Sequence, residues 1–208
     1  MNYSYVTKSP KSGTPEFVSG LISELHLTPA SVIYSLGTNN GAELMPLARL
    51  GAEIHCFEPH PAYKPDLEEA FKDFPNVHLN FAAVWCENTK QELLYKNQYR
   101  AKNGGASLII KQFQGSEILT DTVDCIDIAE YIKTHSNTID VMFMDVEGAE
   151  YIILEHLLDT RVLSSIAHIY FEDHYAKLCK TDMPKELSIY CLQLLDVIRN
   201  LGIELKPW

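Results

Sequence analysis

Short runs of branched apolar residues alternate along this chain with stretches of helical spacing, and that alternation limits the available folds more than any other feature. "SVIYSL" (31–36), "AEIHCFE" (52–58), "NVHLNFAAVW" (76–85), "IDVMFMDVE" (139–147) and "SSIAHIYFED" (164–173) read as strands, with "IELKPW" as a last one. Between them, "AELMPLARLG" (42–51), "PDLEEAFKDF" (65–74), "GAEYIILEHLL" (148–158) and "MPKELSIYCLQLLDVIRNLG" (183–202) carry apolar residues at helical intervals. "TVDCIDIAEYIKTH" (122–135) reads as a short strand running into a helix. Strands this apolar are buried on both faces, and their alternation with helices demands crossover connections. The expected fold class is therefore α/β, a mostly parallel sheet with helices on both faces.

The length of 208 residues suits one domain spanning 1–208. Residues 1–30 read as an N-terminal segment and helix. Residues 86–121 break the rhythm: two short apolar runs flank Lys102-Asn103-Gly104-Gly105, the pattern of a hairpin with a glycine tip. Such a hairpin is either a plain surface feature or a lid over a site.

In a parallel sheet of this kind ligands bind beyond the carboxyl ends of the strands, and the unusual residues fall there. "GTNNG" follows the first strand, so Gly37, Thr38, Asn39 and Gly41 form a tight turn against which a ligand can lie. Glu58 ends the second strand about 20 residues later, the spacing at which an acid accepts hydrogen bonds from a ribose. Pro59 and Pro61 stiffen the backbone beside it. The turn lacks the full G-x-G-x-x-G of a dinucleotide fold, which counts against a nicotinamide enzyme. An NAD-binding or nucleotide-sugar enzyme nevertheless stays as the alternative on this fold.

"FMDVEGAE" supplies Asp145 and Glu147 at a strand end expected at the sheet centre, with Glu150 one helical turn on. Clustered carboxylates need a positive partner or a shared proton, such as a sulfonium, a metal or a protein base. Helix capping would explain Glu147 or Glu150, but not Asp145, which still belongs to the strand. "FEDHY" places Glu172, Asp173, His174 and Tyr175 after the next strand. If the two strands are neighbours these residues face Asp145, and His174 or Glu172 becomes the expected general base. Asp145, Glu172 and Asp173 could instead hold Mg²⁺, but their spacing is not a specific ligand pattern, so a site without metal is favoured. Trp85 and Tyr63 are candidates for stacking on an adenine ring or are plain packing residues. The other histidines receive no role.

Charge and cysteine content narrow the partners. A net charge of -11 without a basic patch argues against nucleic acid. No stretch is apolar enough to span a membrane, and the N-terminus lacks the apolar core of a signal peptide. The five cysteines form no C-x-x-C pair, so reduced thiols and a cytoplasmic location are expected.

Taken in order, "IYSLGTNNG", "CFEPHP", "NFAAVW", "TVDCI", "MDVEGAEYIIL" and "FEDH" resemble the motifs of FkbM-like methyltransferases, enzymes that depend on S-adenosyl-L-methionine (SAM) and share a Rossmann-like fold. The resemblance runs from about residue 31 to 175 and is most specific at D-V-E-G-A-E. It implies that Gly37, Asn39 and Gly41 line the methionine part of SAM, that Glu58 holds the ribose, that Ala82 and Ala83 lie near the adenine, and that Asp145 lies near the reaction centre. One departure stands out: the family usually carries an acid where this chain has Ser35. That departure is the main support for a further alternative, a binding module that has lost its chemistry. Many relatives methylate hydroxyl groups of sugars, which implies an O-methyltransferase acting on a sugar or glycan, with a deoxysugar such as rhamnose as one candidate.

Overall fold

The computed structural model describes residues 13–96, 105–109, 117–174 and 185–208. Its centre is a six-stranded sheet in the order β3-β2-β1-β7-β8-β9. These are β1 (Val32–Leu36), β2 (Glu53–Phe57), β3 (Val77–Asn80), β7 (Ile139–Met144), β8 (Ile166–Phe171) and β9 (Glu204–Pro207). Every pairing in it is parallel. The fold class read from the sequence is therefore the one observed: a Rossmann-like α/β sheet in which the order reverses between β1 and β7.

Alternation along the strands explains why both faces are covered. In β7, Val141 and Phe143 enter one apolar cluster while Met142 and Met144 enter the other. On the first side pack α1 (Pro15–Glu24), α2 (Met45–Leu50) and α3 (Lys64–Phe71), through Val18, Leu47 and Leu67. On the second side pack α4 (Ile128–His135), α5 (Glu150–Asp159) and α6 (Lys185–Asn200), through Ile132, Leu154 and Ile198. Thr14 caps α1 by accepting from the Phe17 amide. Pro46 lies in the first turn of α2, where its missing N–H is harmless, and a 3-10 turn over Ala42–Leu44 precedes it.

Two expectations need correction. The run 76–85 is not one strand. It breaks at Phe81 and Ala82: β3 belongs to the central sheet, whereas β4 (Ala83–Trp85) joins a second sheet of order β4-β6-β5. Likewise "TVDCID" is the end of a ten-residue strand, β6 (Ile118–Asp127), which pairs antiparallel with β5 (Thr89–Lys96) and parallel with β4. Half-exposed alternation in β5 and β6 was the available signal, because strands of the central sheet are buried on both sides. The hairpin expected over 86–121 thus exists as the β5–β6 pair, but most of its glycine tip lies outside the described residues. No described helix is long and apolar enough to cross a membrane. Cys56, Cys86, Cys125 and Cys191 are free thiols; Cys179 lies outside the described residues.

Candidate active site

A cleft of about 600 Å³, measured out to its open mouth, lies over the carboxyl ends of β1, β2 and β7. Gly37 makes its floor possible. This residue has φ +85°, and a Cβ there would stand 1.9 Å from the Asp145 carbonyl oxygen. The β1 and β7 backbones can approach this closely only around glycine. Gly41 has a different reason. Its missing side chain leaves room for Phe71 and Leu67 of α3, and it does not line the cleft.

Glu58 leaves β2 at the cleft wall, only 6% exposed. One carboxylate oxygen accepts from the Asn39 amide at 2.8 Å and the other from the His60 amide at 2.8 Å. The acid thereby ties together the loops after β1 and β2. Burial pushes its pKa up to about 7 even though both amides pull it down. Asn39, Pro59, Ala83, Val84 and Tyr63 also face the cleft. Thr38 does not: it is fully buried, and its hydroxyl donates to the Ser35 carbonyl and hydroxyl. Ser35 is thus held below the surface by its neighbour. Ala82 is buried but not part of the lining, and Trp85 packs against the core beneath the second sheet.

The acids after β7 and β8 converge, because those strands are neighbours and Met144 pairs with Phe171. They converge on His174, which is 1% exposed. Its Nδ1 lies 2.7 Å from Glu150 Oε1. Its Nε2 lies 3.2 Å from Glu147, 3.7 Å from Glu172 and 3.8 Å from Asp145. Burial works against a charged ring. The hydrogen bond to Glu150 and the nearby charges of Glu147 and Glu150 outweigh it and raise the pKa of His174 to about 10. That shift favours the charged ring at neutral pH. The expectation that His174 acts as general base competes here with a second role, that of the positive partner the acid cluster requires.

Asp145 takes over the site facing the cleft. Burial first, then the charges of Glu172 and Glu147, lift its pKa to about 7, with His174 opposing. Its Oδ1 is buried and makes no hydrogen bond. The loop between β7 and α5 is bent by two left-handed residues, Glu147 (φ 54°) and Gly148 (φ 114°). A non-glycine residue in that region costs about 1–3 kcal/mol, a strain that clusters at functional sites. The bend turns Glu147 toward His174. Glu150 completes the loop: fully buried, it accepts from the Val146 and Gly148 amides at 3.2 Å each. Sequence reasoning saw only a third carboxylate there, since its buried tie to His174 spans 24 residues.

Asp173 turns away from the cluster, accepting from the Tyr151 hydroxyl at 3.0 Å. The Asp145–Glu172–Asp173 donor set weighed for Mg²⁺ is consequently not assembled; the donors that do approach one another are those of Asp145, Glu150 and His174. Tyr175 lies outside the described residues. The second sheet closes the remaining side of the cleft: Leu93, Gly105, Ala106 and Leu108 line it, and the Ser107 hydroxyl donates to the Glu147 carbonyl at 2.8 Å. His60, given no role from sequence, also lines it, and its place two residues after Glu58 was the available hint.

The family model "Methyltransferase FkbM domain" matches residues 35–201. A curated relative, a ribosomal RNA small subunit methyltransferase A from Thermotoga petrophila, is 33% identical over 61 residues, which is 29% of this chain and 24% of that protein. This chain therefore aligns with only about a quarter of that relative. Among solved structures, a precorrin-6y C5,15-methyltransferase from Geobacter metallireducens matches with a TM-score of 0.45 and 14% identity over 93% of this chain and 75% of that one. An rRNA methylase from Streptococcus thermophilus matches with a TM-score of 0.44 and 10% identity over 84% of this chain and 78% of that one.

Proposed function

The chain belongs to the FkbM methyltransferase family, and from that premise we propose that it moves a methyl group from SAM to a hydroxyl of a sugar or glycan, with a deoxysugar such as rhamnose as a candidate acceptor. The observation that carries this reading is the pairing, in one cleft, of a ribose-type acceptor, Glu58, with the buried, unbonded Oδ1 of Asp145. The residues fit the donor. The Asp145 carboxylate on the cleft wall suits a cationic group, Glu58 suits vicinal hydroxyls, and Phe57, Val84 and Leu108 give apolar walls suited to adenine.

The donor, when bound, supplies a methyl group already activated on a sulfonium. Gly37 and Asn39 would line its methionine part, Glu58 would accept from the ribose, and Ala83 with Val84 would flank the base. Asp145 is the proposed proton acceptor. Its pKa of about 7 leaves it partly ionised at neutral pH, and a positive charge in the cleft would drive it further into the accepting form. Asp145 would accept the proton that the acceptor hydroxyl gives up as it takes the methyl group, the donor's C–S bond breaking and a neutral thioether leaving. A base in this role contributes typically about 100- to 10,000-fold, and positioning contributes more. Glu147, which lines the cleft beside Asp145, would orient another hydroxyl of the acceptor.

The net charge of -11 and the acid-ringed cleft disfavour a nucleic-acid acceptor for this chain, although relatives are named for ribosomal RNA. A methyl-sized mass gain on rhamnose-, fucose- or hexose-containing acceptors incubated with SAM, lost in Asp145→Asn, would support the reading. Transfer to RNA alone, or undiminished turnover in Asp145→Asn, would overturn it.

A further inference from the structure

A second group of ligating side chains lies far from the cleft. In the β2–β3 pair His55 stands directly opposite His78, so their imidazoles project from the same face, and Glu53 precedes His55 by two residues on that face. The two rings stack with centroids 4.7 Å apart. Glu53 Oε1 lies 3.1 Å from His55 Nε2 and 3.6 Å from His78 Nε2. The three donor atoms are all within 4.8 Å of one another. A tetrahedral zinc ion with bonds of about 2.0–2.1 Å holds its ligands about 3.4 Å apart, close to both distances.

The surroundings are those of a ligand set. His55 is 2% exposed and cannot swing away, and its Nδ1 lies 3.0 Å from the Tyr131 hydroxyl on α4. A partner on the far nitrogen is what orients a metal-binding imidazole. Tyr131 is itself fixed: Asn80 donates to its hydroxyl at 3.3 Å, and His135 stacks on its ring at 3.9 Å. His78 and Glu53, by contrast, are about half exposed, which leaves a path for an ion from solvent. Glu53 precedes Glu58 by five residues, about 16 Å along an extended strand, so the group is separate from the proposed methyl-transfer site.

We propose that Glu53, His55 and His78 form a binding site for one zinc-class divalent ion, with water in the fourth position, clamping edge strand β3 to β2. Two imidazoles and one carboxylate suit zinc and its first-row neighbours rather than Mg²⁺ or Ca²⁺. Binding requires His55 to carry its proton on Nδ1, facing Tyr131, so that Nε2 offers its lone pair to the ion.

The test is calorimetric titration of Zn²⁺ into the metal-free full chain, with Co²⁺ absorbance as a check on tetrahedral geometry. One ion per chain is expected to bind. His78→Ala and Glu53→Gln, at exposed positions that do not threaten the fold, are each expected to weaken affinity by about tenfold or more, and Tyr131→Phe by about 10- to 100-fold. Asp145→Asn is expected to leave zinc affinity unchanged. No saturable binding, or binding kept in His78→Ala and lost in Asp145→Asn, would overturn the assignment.

Discussion

Removing the buried imidazolium is the most searching perturbation of this structure. In His174→Ala, Glu150, fully buried, loses a partner at 2.7 Å, and Glu147, Glu172 and Asp145 lose the cation between 3.2 and 3.8 Å away. A pKa held at about 10 against an ordinary 6.5 corresponds to about 5 kcal/mol of preference for the charged ring. One of the abandoned acids would take up a proton and recover part of this. Breaking a buried pair in that way typically costs about 3–5 kcal/mol, and the lower half of that range is expected here. Urea denaturation followed by far-UV circular dichroism measures it. The sign with pH is also determined. The folded pKa lies above the unfolded one, so the contribution is whole below about pH 6.5 and disappears as pH rises through about 10. The gap between wild type and variant should therefore close on the alkaline side. A loss under about 1 kcal/mol at neutral pH, or a gap unchanged at about pH 10.5, would show that the ring is not the charge partner of the cluster.

Further predictions rest on the same geometry. Glu58, Asp145 and Glu43 all have pKa values raised to about 7 by burial, so the stability they contribute is whole below their unfolded values and is lost as pH rises through about 7. His174 acts in the same sense, so between about pH 6.5 and about pH 8, above the range in which the lowered pKa of His55 opposes them, the ligand-free protein should lose urea resistance as pH rises, and a gain would contradict the assignments. Gly37→Ala should destabilise by about 3 kcal/mol or more, because its Cβ meets backbone at 1.9 Å; Gly41→Ala should cost less, because its Cβ meets side chains at 2.6 Å and beyond. Glu58→Gln should raise the KM for SAM by about 10- to 100-fold, the worth of a charged hydrogen bond, and should also lower the thermal midpoint of the ligand-free protein, because the new side-chain NH2 faces one of the two backbone N–H groups that Glu58 accepts from. An unchanged KM would remove Glu58 from the donor site.

Much of this protein is local, and local features are legible in a linear sequence. Branched apolar runs such as Val32–Leu36 and Ile139–Met144 declare buried parallel strands because a strand covered on both sides tolerates little else. The glycine turn, Glu58, and the acids after β7 and β8 were singled out because loops at the carboxyl ends of parallel strands are where ligands bind. What the linear reading could not supply was distance between segments. That β4 and β6 leave the central sheet depends on which partner a half-buried strand finds, and strand pairing is decided by tertiary packing. Thr38, Gly41 and Ala82 occupy motif positions yet face the interior rather than the cleft, since orientation around a tight turn is set by what packs behind it, here Ser35 and Phe71. The charge balance around His174 was the furthest from reach. Sequence alone placed a histidine near acids; only the folded chain surrounds it with four carboxylates, close enough to outweigh the burial that works against a charged ring.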